Sequence, residues 1–348
     1  MDINIQYENK HKTAKEAVEL IKDYDKIYIH HSLQASQTLL DELYKRRNEL
    51  KGVCVLGSTA MHNYKIFGMD CEGKIDYKTL FIGSPERAAI KNGRSIDNVC
   101  YQLRNLRKVL QESFIPDVLF IMAAPMDEEG YFNLSIAPAD MDAAVDNARL
   151  VILQVNNNLP CVHTEENKIH ISKVHVIVQA DEELLTYESG EASELDKKTA
   201  SYIVERIPHG ATLQIGIGGI ANAIGYSLDN HKHLGIHTEM YTESMYYLTK
   251  KGAVDNSRKK IYQGKSVFGF ALGSSRMYKF LHCNNEVITR SLSFTNDPYI
   301  VSQLDNFVSV NACIGVDITG QVASETIGAY PYSGTGGQLD FVRGAQMA

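Results

Sequence analysis

Short apolar runs rich in β-branched residues alternate along this chain with stretches whose apolar positions recur every three or four residues. The first helical signal is Thr13-Ala14-Lys15-Glu16, a capping box followed by Ala17, Val18, Leu20 and Ile21 at helical spacing. Residues 26–30 read as a strand. Residues 36–50 read as an amphipathic helix with Leu39, Leu40, Leu43 and Leu50 on one face and charges opposite. Strands are predicted at 53–56, 79–83, 118–123, 150–155 and 174–178, with helices at 99–109 and 141–148 between them. The run at 118–123 is apolar enough to be central in a sheet.

The pattern then restarts. A helix is predicted at 197–206, a strand at 212–217, a glycine turn leading into a helix at 220–228, a strand at 234–238 ending on Glu239, and strands at 266–272 and 307–312. Strands alternating with helices imply a parallel sheet covered on both faces. The expected fold is α/β, with two open, mostly parallel-sheet domains at 1–190 and 191–348. The acidic stretches Asp181-Glu182-Glu183 and 188–194 lie at their junction. Ligands of such sheets bind beyond the carboxyl ends of the strands, where the glycine turn and Glu239 both fall. A glycine-dense tail, Tyr332-Ser333-Gly334-Thr335-Gly336-Gly337 and onward to Gly344, rarely closes a domain, so the second domain is expected to be truncated.

The 348 residues carry a formal net charge of -7, with 44% hydrophobic and 22% charged residues, ordinary for a globular chain. Basic residues are dispersed. Arg258-Lys259-Lys260 and Tyr44-Lys45-Arg46-Arg47 are too short for a nucleic-acid stripe, so no nucleic-acid partner is expected. Six scattered cysteines form no C-x-x-C pair, which argues against zinc or a redox motif, and several, such as Cys54 between Val53 and Val55, read as small buried hydrophobes. That usage fits a reducing cytoplasm. The polar start Met1-Asp2-Ile3-Asn4 leads to no expected signal peptide, and the longest apolar run, 118–126, is far short of a membrane span.

Two motifs carry candidate chemistry. Gly216-x-Gly218-x-x-Ala221, between a strand and a helix, presents backbone N–H groups that suit a phosphate or a thioester oxyanion. Glu239 follows it at the spacing of a ribose-binding acid, and equally stands where an ionised nucleophile belongs. The residues alone leave dinucleotide clamp and nucleophile open. Glu243 is either a second carboxylate tuning Glu239 or a helix-start residue. His231, His233 and His237 match no metal-ligand spacing, and His237 reads as packing or orienting a neighbour. His30, His31 and His163 sit at strand ends, where ordinary exposed loop positions are the favoured reading over cleft-lining ones. Asn296, before Pro298, is either a cap or an oxyanion donor. No G-x-S-x-G elbow or Walker loop is present, and nothing marks Ser333 as activated.

Longer stretches decide between the readings. Leu213-Gln214-Ile215-Gly216-Ile217-Gly218, Gly235-Ile236-His237-Thr238-Glu239-Met240, Phe270-Ala271-Leu272-Gly273 with Tyr278, Asn296-Asp297-Pro298, Asp305-Asn306-Phe307-Val308-Ser309-Val310-Asn311, Val316-Asp317-Ile318-Thr319-Gly320-Gln321-Val322 and 333–345 occur in order, with 83–94 and 127–132 in the first half. Together they resemble the acetyl-CoA hydrolase/transferase family, and within it 4-hydroxybutyrate and butyrate/acetate CoA-transferases. The resemblance implies two α/β domains with the site in the cleft between them, and a CoA-transferase working by ping-pong through a glutamyl-CoA thioester on Glu239. It implies oxyanion or thioester contacts at Asn296, Gly337, Ile217 and Gly218, and CoA contacts at Gly216, Gly218, Gly219, Gly334, Gly336 and Gly337. Acyl-CoA and a short-chain carboxylate are the implied partners, with coenzyme A as substrate and no permanent cofactor. Apart from the resemblance, residue spacing leads to no expected metal, the apolar runs to no expected membrane association, cysteine usage to a cytoplasmic location, and the commonness of dimers to a homodimer. The alternatives are an acyl-CoA hydrolase on the same site and an inactive CoA-binding fragment. Members commonly show aspartate then glycine where this chain has Glu243-Ser244.

Overall fold

The computed structural model describes residues 3–187 and 190–348. Met1, Asp2 and part of the 188–194 junction therefore lie outside the described residues. The first half builds a seven-stranded parallel sheet from β1 (Lys26–Ile29), β2 (Val53–Gly57), β3 (Ile75–Thr79), β4 (Ile96–Asn98), β5 (Val118–Ala123), β7 (Leu150–Val155) and β9 (Val176–Gln179). A two-stranded antiparallel ribbon, β6 (Tyr131–Asn133) with β8 (Lys168–His170), lies outside it. The sheet order is β4-β3-β2-β1-β5-β7-β9. Every residue of β5 and β7 is buried, as expected for strands covered by helices on both faces.

The second half builds a five-stranded parallel sheet from β10 (Thr212–Ile215), β11 (Gly235–Thr242), β12 (Ser266–Leu272), β13 (Val287–Thr289) and β14 (Phe307–Val310), in the order β13-β12-β11-β10-β14. Each sheet reverses its winding once, between β1 and β5 and between β10 and β14. Loops diverge at such points and leave a crevice beyond the carboxyl ends of the strands.

Local chemistry explains the element ends. The Thr13 capping box forms with Glu16, and Ser36 caps the helix Gln37–Lys45 by accepting from Leu39 N–H, a cap worth about 1 kcal/mol. That helix stops short of the expected residue 50, because Arg46 turns back to donate to the carbonyls of Val18 and Ile21. The strand expected at 79–83 is instead β3, ending at Thr79. Ile75, Tyr77 and Thr79 alternate inward, and Leu80 and Phe81 leave the sheet to line the cleft. The helix expected at 99–109 is broken. Val99 N–H is committed to the Thr79 carbonyl, which keeps the backbone extended past β4, and helical turns begin only at Leu103. The helix expected at 141–148 shortens to Asp142–Val145. Helices Ile3–Lys10 and Gln338–Met347 were not anticipated by the pattern. No helix among the described residues is long and apolar enough to cross a membrane.

Candidate active site

Glu239 lies inside β11, not at its end, because the strand continues to Thr242. β10 pairs with β11 only at Gly235 and Ile236, whereas β12 follows β11 to Thr242. β10 therefore peels away just before Glu239 and opens a cavity beside it. The preceding His237 is fully buried, with Nε2 2.8 Å from the Thr295 carbonyl, and burial holds its pKa down to about 3. It packs as a neutral ring between Phe294 and Phe307.

The Glu239 carboxylate meets two residues from later in the chain. Asn296 closes the short helix Leu292–Thr295, and its Nδ2 donates to Glu239 Oε2 at 2.8 Å. Its Oδ1 accepts from Thr295 Oγ1 at 2.9 Å, which fixes the amide with its N–H₂ toward the carboxylate. Asp297, not Asn296, caps the next helix, Pro298–Val301, so Asn296 is free for the site. Gly337 is the second neighbour. A Cβ there would collide with both Glu239 Oε2 and Asn296 Nδ2, so any larger residue must displace the carboxylate or the amide. Burial pushes the Glu239 pKa up to about 7. The Asn296 hydrogen bond opposes that rise, and the negative charge of Asp340 adds to it.

Glu239 stands between two spaces. On one side is a cavity of about 620 Å³, walled by the turn after β10, the end of β14 and the 333–338 loop. Gly216, Ile217, Gly218, Gly219, Gly334, Gly336 and Gly337 all line it. Gly218 holds φ at 108°, and the helix Gly219–Ser227 begins without a side-chain cap, so free N–H groups of its first turn line the wall. Among the described residues no lysine or arginine lines this cavity, and Asp196 does. Its floor thus suits a neutral amide-bearing arm better than a phosphate cluster. On the other side is a pocket of about 40 Å³ between the halves. His31, Ser32, Ser58, Thr59, Leu80 and Phe81, after β1, β2 and β3, face Glu239, Phe270 and Gly336 there. Ser32, Thr59 and Ala139 on its wall hold φ near +50°, a strained arrangement of the kind found at working sites. The 333–337 loop is tied to the first half by Arg87, whose Nη1 donates to the Tyr332 carbonyl at 2.9 Å and whose guanidinium lies over the Tyr332 ring.

Glu243 does not approach Glu239. It opens the helix Glu243–Lys250, and its Oε2 accepts from Ser274 N–H at 3.0 Å. The carboxylate that perturbs Glu239 is Asp340, buried and bonded to Arg104 N–H at 3.2 Å. Its signal in the sequence was its place three residues past Gly337. His30 and His31 are buried, against the exposed reading, and only His31 reaches the pocket. His163 is exposed. His231 and His233 turn to Ile207 and Asp255, away from each other's partners. Tyr101 was missed altogether. Its hydroxyl is buried without a hydrogen-bond partner among the described residues, and burial, then the charge of Glu239, push its pKa far up.

Residues 1–187 match the acetyl-CoA hydrolase/transferase N-terminal domain and residues 273–348 match the C-terminal domain. The chain belongs to the acetyl-CoA hydrolase/transferase family. This makes it an enzyme of the CoA-transferase class. The chain is 34% identical to butyryl-CoA:acetate CoA-transferase of Anaerostipes caccae, over 100% of its own length and 79% of that protein's. It is 32% identical to 4-hydroxybutyrate coenzyme A transferase of Clostridium kluyveri, over 98% and 80% of the two. The crystal structure of RipA from Yersinia pestis superposes with a TM-score of 0.95 at 32% identity, covering 100% of this chain and 81% of that one.

Proposed function

We propose that this acetyl-CoA hydrolase/transferase family member moves CoA between a short-chain acyl-CoA (acetyl, butyryl or 4-hydroxybutyryl) and a carboxylate, with Glu239 as the covalent nucleophile. One Glu239 oxygen attacks the thioester carbonyl and forms a C–O bond. The C–S bond breaks, leaving an acyl-glutamyl anhydride and CoA thiolate. The thiolate adds to the Glu239 carbonyl and expels the acyl group as a carboxylate, giving a glutamyl-CoA thioester. An incoming carboxylate reverses both steps. Each addition builds negative charge on one oxygen, and donors already aimed at that oxygen lower the barrier. We assign that task to the Asn296 amide and the backbone N–H groups of Ile217, Gly218 and Gly337.

The observation that carries this reading is the position of Glu239. Its carboxylate is oriented by Asn296 and stands between a cavity lined by no basic residue among those described, large enough for the pantetheine arm of CoA, and a pocket that holds about three water-sized groups. The glycines at 216, 218, 219, 334, 336 and 337 are assigned to that arm. We take the two sheets as domains 1–190 and 191–348 that share this site. Initial rates with acetate, butyrate and 4-hydroxybutyrate as acceptors test the reading. Parallel double-reciprocal lines for acyl-CoA against acceptor support it. Intersecting lines overturn the covalent path, and free CoA released faster than any acceptor is converted to its CoA thioester makes the enzyme a hydrolase.

A further inference from the structure

The sequence shows six scattered cysteines and no paired motif, yet the fold brings two of them together across the seam between the halves. Cys161 lies in the loop after β7. Cys283 follows the helix Ser275–Leu281 and is exposed. Cys283 N–H donates to the Cys161 carbonyl at 2.8 Å. This bond holds the two residues side by side, the first requirement for a disulfide between them. The two thiols also feel each other. Burial raises the Cys161 pKa first, and the charge and hydrogen bond of Cys283 raise it further.

His282 joins the pair. Its Nδ1 accepts from Cys161 N–H at 3.0 Å, so in the neutral ring the proton sits on Nε2. That Nε2 is 3.6 Å from Cys283 Sγ, close enough to donate to a thiolate there. The surrounding seam is already fixed. Thr289 N–H donates to the His163 carbonyl at 2.8 Å, and Arg290 pairs with Glu165 at 2.9 Å and Glu166 at 2.7 Å.

We propose that Cys161, His282 and Cys283 form an oxidisable dithiol site, with Cys283 the attacking thiol, Cys161 the resolving thiol and hydrogen peroxide the oxidant. The Cys283 thiol gives its proton to solvent. Its sulfur attacks a peroxide oxygen; the S–O bond forms, the O–O bond breaks, and the released hydroxide takes up a proton as water. Cys161 sulfur then displaces the hydroxyl from Cys283, forming S–S, and the hydroxyl leaves as water with the Cys161 proton. Two thiols lose two electrons and one peroxide becomes two waters. The bond closes a loop of about 120 residues that contains the glycine turn and Glu239, and ties that half of the cleft to the first. This inference is independent of the role proposed for Glu239.

The test uses the purified full chain with hydrogen peroxide, differential alkylation and peptide mass mapping. Cys100 and Cys313, both exposed, serve as internal controls. A Cys161–Cys283 linked peptide, reversed by dithiothreitol, is expected before either control cysteine oxidises. Cys283 is expected to react with iodoacetamide about fivefold faster than the controls near neutral pH, an advantage lost in His282→Phe. Cys161→Ser is expected to keep fast alkylation but stop at a Cys283 sulfenic acid trapped by dimedone. Oxidised wild type is expected to melt a few degrees above its reduced form, with no such shift in Cys161→Ser. Oxidation confined to intermolecular links or to Cys100 and Cys313 overturns the proposal, as does equal alkylation of Cys283 and the controls.

Discussion

Glu239→Gln separates the cost of the buried carboxylate from its use. Burial lifts the Glu239 pKa from the ordinary 4.5 to about 7. At 1.36 kcal/mol per pKa unit, this is about 3 kcal/mol of cost once the group is ionised. The carboxylate borders a cavity open to water, which screens part of this and leaves about 2 kcal/mol. The sign follows from proton counting. Between 4.5 and 7 the folded protein binds the proton that the unfolded chain has released, so stability falls as pH rises through that window. Glutamine resembles the protonated acid and stays neutral throughout. Urea denaturation across this range measures the difference. The variant is expected to match wild type near pH 5 and to exceed it by about 2 kcal/mol near pH 8. Turnover is expected to fall by at least about 10³-fold at both. A stability difference that does not change with pH refutes the argument that burial strains this carboxylate.

Three further substitutions probe the groups around it. Asn296→Ala removes the donor 2.8 Å from Oε2, so the acid limb of the pH–rate profile is expected to move to higher pH and turnover to fall about 10²–10³-fold. Asp340→Asn removes the negative charge that raises the Glu239 pKa, and the same limb is expected to move to lower pH, read from kcat/KM against pH. Gly337→Ala places a methyl group where the carboxylate and the Asn296 amide now sit. Turnover is expected to drop about 10²-fold or more while CoA still raises the melting temperature; an alanine variant with near-normal turnover contradicts the geometry.

The alternation of strands and helices was legible because each apolar run is short and helices such as Gln37–Lys45 carry one apolar face. The centre of the first sheet was clearest, since every side chain of β5 is buried. What periodicity could not show was where the chain stops obeying it. Leu80 and Phe81 look like strand yet leave β3 to line the pocket, and Val99 looks like a helix start yet is held to Thr79. Glu239 was visible through its surrounding stretch, but the residues that set its chemistry come from far along the chain. Asn296 reads locally as a cap until Asp297 is seen to take that work. Asp340 is marked only by its place after the glycine loop and reaches Glu239 when the last helix folds back onto the second half, whereas Tyr101 carries no motif and comes near Glu239 only when the first half closes on the second. The same closure joins Cys161 to Cys283, a pair that spacing alone could not suggest.

The central claim is that Glu239 becomes covalently loaded with CoA. Incubation with acyl-CoA in the absence of acceptor, followed by intact-protein and peptide mass spectrometry, tests it directly. A CoA adduct on the peptide containing Glu239, removed by borohydride and absent from Glu239→Gln, is the predicted result. An enzyme that demonstrably binds and turns over acyl-CoA, yet carries no adduct or carries it on another residue, contradicts the account.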